Sequence, residues 1–236
     1  MIKGIIFDYG GTLDTGGRHW SEVLWDGYKA AGVPVGKAAF LDAYVHGERE
    51  LAKAEHIKLG DTFHTLLLKK IAIEIDNLVN TGNIPDDADK NGFIHNIAAY
   101  CDGIARAKVE ENRPILEELH AEFPMVLVTN FYGNIASVIA DYGISGCFDD
   151  IVESAVVGVR KPSPEIFSIG VEGLGFSPSE VLVIGDSYKK DIEPALTLGC
   201  DAIWLKGDSW NKKEDNIIYN KTIYTLRSLF KMINRG

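Results

Sequence analysis

Asp8 is the residue of this chain best placed to do chemistry. It closes an apolar run, Ile5, Ile6 and Phe7, and is followed at once by Gly10, Gly11 and Thr12. A short apolar run ended by turn residues reads as a buried strand. The carboxyl end of such a strand is where open parallel sheets hold their ligands. Taken alone, the stretch also reads as an ordinary strand and turn with a capping aspartate. Other polar residues fall at similar places. Thr129 and Asn130 end the apolar run 125–128, Lys161 lies in the loop GVRKPSPEIF, and Asp186 and Asp191 lie in VLVIGDSYKKDI. If these ends share one edge of a parallel sheet, their side chains converge. Carboxylates brought to about 4 Å repel by roughly 4 kcal/mol per pair at an effective dielectric of 20. A hard divalent cation with oxygen ligands relieves that repulsion. Thr129 also reads as a plain helix cap, and Lys161 as a solvated loop lysine.

The elements that must position these residues follow from the apolar periodicity. Segments 20–31, 38–51, 62–79 and 94–104 carry apolar residues at helical spacing, with Asp61 as N-cap of the third, and Arg113-Pro114 opens a further helix to about His120. From Phe123 the rhythm is strand then helix. Strands fall at 125–128, 150–153, 181–184 and 202–205, and helices at 135–142, 164–174, 191–198 and 223–232. Alternation of this kind builds an α/β fold with a parallel sheet covered by helices. The first strand must join that sheet to bury both its faces. Residues 1–15 and 115–236 therefore read as one core domain, with 16–114 inserted as a helical domain after the first turn.

Composition sets bounds. The 236 residues suit one large domain or two unequal ones, and the net charge of −10 argues against a nucleic-acid partner. Cys101, Cys147 and Cys200 are scattered without a pairing motif, as free thiols of a reducing compartment would be. No run is long enough for a membrane span, and the N-terminal apolar run is too short for a signal segment. The expectation is a cytoplasmic protein, monomer or homodimer, with no membrane partner.

The motifs FDYGGT, LVTN, the lysine of RKPSPEIF and IGDSYKKD, in that order and each at a strand end, resemble the haloacid dehalogenase superfamily, most of whose members are phosphatases. The resemblance covers the whole chain. It implies a Rossmann-like core and a helical cap, and a magnesium-dependent phosphatase acting on a small phosphorylated metabolite. It further implies Asp8 as a nucleophile that becomes an aspartyl-phosphate, which divides hydrolysis into two steps. Asp8, the backbone carbonyl of Gly10 and Asp186 would bind Mg²⁺, which also bridges phosphate oxygens. Asp191 would orient a bound water or Lys161. Thr129 would hydrogen-bond a phosphoryl oxygen, Lys161 would neutralise transferring charge, and Thr12 and Asn130 would support them.

One position departs from the family. Its phosphatases place a second aspartate two residues after the nucleophile as general acid, and here that position is Gly10. Asp14, or a cap residue among His19, His46, Glu48 and His56, would have to replace it, unless the leaving group needs no acid. Three rivals follow. A 2-haloacid dehalogenase would lack Asp186. A phosphonoacetaldehyde hydrolase would use a cap lysine such as Lys53. A non-catalytic phosphate-binding module would need no intact Asp8, Lys161 and Asp186. Substrate choice is expected in the turn 15–19 and the segment 46–50. Trp20, Trp25 and Phe63 are read as cap core rather than substrate contacts.

Overall fold

The computed structural model describes residues 1–53, 56–208 and 214–233; residues 54–55, 209–213 and 234–236 of the two expected units lie outside it. Six strands, β1 (Gly4–Phe7), β2 (Met125–Thr129), β3 (Asp150–Glu153), β4 (Val181–Gly185), β5 (Asp201–Leu205) and β6 (Thr222–Ile223), form one parallel sheet in the order β3-β2-β1-β4-β5-β6. The central strands β1, β2 and β4 are buried throughout, as sheets covered on both faces must be. The period-two alternation divides them between two cores. Ile5, Phe7, Leu127 and Ile184 face one cluster, and Ile6, Val126, Val128 and Val183 face the other.

The first cluster continues without a break into four helices. These are α1 (Trp20–Ala30), α2 (Lys37–Lys53), α3 (Phe63–Asn80) and α4 (Lys90–His120), with α2 packed on α3, and α4 on both α1 and α3. Short helices line the rest of the chain: α5 (Ile135–Asp141), α6 (Ser154–Val157), α7 (Glu165–Leu174), α8 (Glu193–Leu198) and α9 (Leu229–Ile233). Among the described residues no helix is long and apolar enough to cross a membrane, and all three cysteines are buried.

Several expectations are corrected. The N-cap of α3 is Thr62, whose hydroxyl accepts from the Thr65 N–H, while Asp61 accepts from the Lys58 N–H at 2.7 Å and pairs with Lys69. The two helices expected at 94–104 and 113–120 are one helix of 31 residues with Pro114 inside it. Ile97, Cys101, Ala105, Val109, Ile115 and Leu116 bury one continuous stripe along it, which outweighs the backbone bond that proline cannot make. The expected helix 223–232 starts later. Ile223 pairs with Leu205 in the sheet, and α9 begins at Leu229. The expected helix 191–198 is a π-helical turn, Tyr188–Ile192, running into α8.

Candidate active site

Asp8 follows directly on the central strand, and its N–H donates to the Ile184 carbonyl at 2.9 Å, so β4 sets its height. The Thr12 hydroxyl donates to Asp8 Oδ2 at 2.7 Å and lies 3.4 Å from Asp186 Oδ1. The turn between them needs Gly11. Its φ is +95°, and a Cβ there would collide with the Asp186 carboxylate. The backbone carbonyl of Asp186 is held in turn by the Trp204 indole N–H at 2.7 Å.

Lys161 binds this group together. Its buried ammonium donates to Asp8 Oδ1 at 2.6 Å and to Asp191 Oδ1 at 2.7 Å. Burial alone would lower its pKa, but Asp191 and Asp8 outweigh that and hold it above the ordinary value. Asn130 fixes the backbone of Lys161, accepting from its N–H at 2.9 Å and donating to its carbonyl at 3.1 Å. The π-helical turn folds Asp191 back toward β4, where its Oδ2 accepts from the Ser187 N–H at 3.0 Å. Thr129, at the end of β2, is buried and lines the same cavity as Asp8, Gly10, Lys161, Asp186 and Asp191.

Carboxylate oxygens of Asp8, Asp186 and Asp191 all lie within 4.8 Å of one another. Burial pushes the Asp186 carboxyl well above the usual range, and Asp8 and Asp191 push the same way. Asp191 is raised to about 6, by burial first and against the pull of Lys161. Three carboxylates against one ammonium leave two negative charges in excess. That donor set, hard oxygens with a deficit of two positive charges, fits a divalent cation.

The structure separates the other candidates. Asp14 is fully buried and does not line the cavity; its two oxygens accept from the Gly11 N–H at 2.7 Å and the Trp20 indole N–H at 2.9 Å. Burial raises its carboxyl to about 7. His19 lines the cavity and caps α1 by accepting from the Ser21 N–H; burial, then Lys190 and Lys70, lower it to about 4. Glu48 also lines it, whereas His46 and His56 do not. Lys53, its side chain 68% exposed, pairs with Glu50 at 2.8 Å and lies outside the cavity that holds Asp8.

Trp20 and Phe63, read as cap core rather than substrate contacts, do join the first cluster, Phe63 within it and Trp20 packed against it, and both also line the cavity, their rings 5.0 Å apart. Trp25 packs on Phe40 as expected. Lys70 and Tyr132 were not foreseen. Lys70 pairs with Glu48, whose other oxygen accepts from the Tyr132 hydroxyl at 3.0 Å. The signal for Lys70 was its spacing: three and four residues after Leu67 and Leu66, it falls on the buried face of α3.

The model of the haloacid dehalogenase-like hydrolase family matches residues 2–199. The chain belongs to the haloacid dehalogenase-like hydrolases. Within that family it is 32% identical over 91 residues to a glyceraldehyde 3-phosphate phosphatase of Methanocaldococcus jannaschii, covering 39% of this chain and 40% of the relative. It is 25% identical over 153 residues to the pyrimidine 5'-nucleotidase YjjG of Escherichia coli, covering 64% and 65%. The chain thus matches less than two thirds of either relative. Two solved haloacid dehalogenase-like structures share the fold across 99% of both chains. They are the hydrolase YfnB of Bacillus subtilis bound to magnesium (TM-score 0.59, 18% identity) and the L-2-haloacid dehalogenase of Xanthobacter autotrophicus (TM-score 0.60, 16% identity).

Proposed function

We propose that this chain is a magnesium-dependent phosphatase that hydrolyses a small phosphorylated metabolite through an aspartyl-phosphate on Asp8. The observation that carries the reading is the cluster of Asp8, Asp186 and Asp191 around Lys161, with Thr129 beside it in one cavity. Phosphatase relatives on the same family framework support it. A carboxylate of Asp8 attacks phosphorus, the P–O bond to the leaving group breaks, and water then cleaves the acyl phosphate to release inorganic phosphate and restore Asp8. Lys161 and Thr129 place positive charge and a hydroxyl donor beside the phosphoryl oxygens as charge moves. Asp8, the Gly10 carbonyl and Asp186 would hold Mg²⁺, with Asp191 keeping Lys161 in place. The bound ion would supply charge neutralisation that lets the two anions, carboxylate and phosphate, meet.

Helices α1–α3 and the part of α4 up to residue 114 serve in this reading as the cap, the unit 16–114, over the core unit 1–15 and 115–236, and α4 runs on across that boundary. They close one side of the cavity and exclude water. The cavity, of about 380 Å³, is near the small end of the range for small-molecule sites. The expected result is hydrolysis of p-nitrophenyl phosphate that requires Mg²⁺, stops with chelator, and falls on the order of 10³-fold or more in Asp8→Asn. Persistence of hydrolysis in that variant, or release of halide from a 2-haloacid under chelator, would refute the reading.

A further inference from the structure

The cavity that holds the Asp8 cluster is lined by a second charged group. Lys70, its side chain 6% exposed, pairs with Glu48, its side chain 38% exposed, and both line the cavity. Burying an ammonium is costly, and a buried pair is weak evidence for stability. A neutral residue of similar volume would pack the same site on α3. What the pair offers is hydrogen bonding of one kind. Glu48 accepts from Lys70 at one oxygen and from the Tyr132 hydroxyl at the other, so each oxygen already holds a donor. Lys70 carries three N–H bonds and spends one on Glu48, with the Tyr44 ring 4.4 Å below it. A second ammonium, Lys190, lines the same cavity and acts on Glu48 electrostatically. Outside the Asp8 cluster the charged lining is Lys70, Lys189 and Lys190 against Glu48 and Glu214, one positive charge in excess, and it presents donors. Leu24, Phe63, Leu66, Leu67 and Phe131 add apolar walls to the same cavity.

We infer that Lys70, held by Glu48 and Tyr132, binds a carboxylate on the leaving group, so that the substrates are phosphate esters of small hydroxy acids. This rests on the phosphatase reading above and selects among its substrates. The same ion pair disfavours an amine there, because Lys70 repels it and already neutralises Glu48.

The matched probes are 3-phosphonooxypropanoate and its methyl ester, alike in size and leaving-group alkoxide but differing in one negative charge. With Mg²⁺ the wild type is expected to prefer the acid by about 10–100-fold in kcat/KM, the range for one charge-assisted hydrogen bond. In Lys70→Met that preference collapses, mainly through a higher KM for the acid, and Lys70→Arg restores part of it. Equal turnover of acid and ester by the wild type overturns the inference without any variant. So does a Lys70→Met protein that loses both activities in parallel, the mark of a merely structural lysine. If neither probe nor p-nitrophenyl phosphate is hydrolysed with Mg²⁺, the phosphatase reading itself fails. If p-nitrophenyl phosphate alone is turned over, the two probes are compared as competitive inhibitors of that turnover, where tighter binding of the acid, lost in Lys70→Met, upholds the carboxylate assignment and equal binding of acid and ester overturns it alone.

Discussion

Gly10 is the residue at which this chain differs most from what its motifs imply. A positioned general acid contributes about 10²–10⁴ in rate, and this position carries no side chain. Asp14 does not replace it, since it does not line the cavity and both its oxygens are occupied by Gly11 and Trp20. Wild-type turnover is therefore expected to fall steeply as leaving-group pKa rises across a series of aryl and alkyl phosphates. The site has room for the missing group, because a Cβ on Gly10 meets nothing within 4 Å and its φ is not in the left-handed region. Gly10→Asp is expected to raise turnover of alkyl phosphates by about 10²-fold and to flatten that series. A flat wild-type profile would show that another group already supplies the proton.

At the scale of elements, α3 carries a buried ionisable group and α4 an internal proline, each with an energetic cost. On α3, Glu74 is fully buried. Burial raises its carboxyl to about 7, while the Tyr28 hydroxyl donates to one oxygen at 3.0 Å and the other oxygen has no partner. Above about pH 4.3 the unfolded chain releases this proton while the folded chain keeps it until near 7. Stability is therefore expected to fall as pH rises through that window, by up to roughly 3 kcal/mol. Glu74→Gln should remove this part of the slope, read as urea midpoints at pH 5 and pH 7.5; an unchanged slope would mean that Glu74 does not titrate there. On α4, Pro114 is exposed, so it costs a backbone bond without packing in return. Pro114→Ala is expected to stabilise the protein by about 1–3 kcal/mol in the same measurement.

For the whole molecule, charge sets two opposing expectations. A net charge of −10 would repel an anionic substrate. A second cleft, of about 750 Å³, that shares Glu48, Tyr132 and Lys190 with the cavity is however lined by Arg49, Lys53, Arg160 and Lys190. Local fields at a cleft outweigh distant charges once these are screened over a Debye length of about 10 Å. The kcat/KM for p-nitrophenyl phosphate is thus expected to fall roughly 3–10-fold between 0.02 and 0.2 M salt. A rise with salt would show that net charge governs the encounter.

The parallel α/β core and most of the phosphate-end cluster were legible from the chain alone, because Asp8, Thr129, Lys161, Asp186 and Asp191 each sit at or beside the end of an apolar strand or in a marked loop. In a parallel sheet, local order along the chain places such ends on one edge. The helical layer was legible as helices, but the join across Pro114 was not, since burial of α4's own apolar stripe against other elements overrode a local breaker. The second charged group of the cavity was decided by tertiary structure alone. Glu48, Lys70 and Tyr132 come from α2, α3 and the loop after β2. Nothing in their spacing along the chain says that they meet, because side-chain contacts between elements are set by how helices pack and not by where residues fall in sequence.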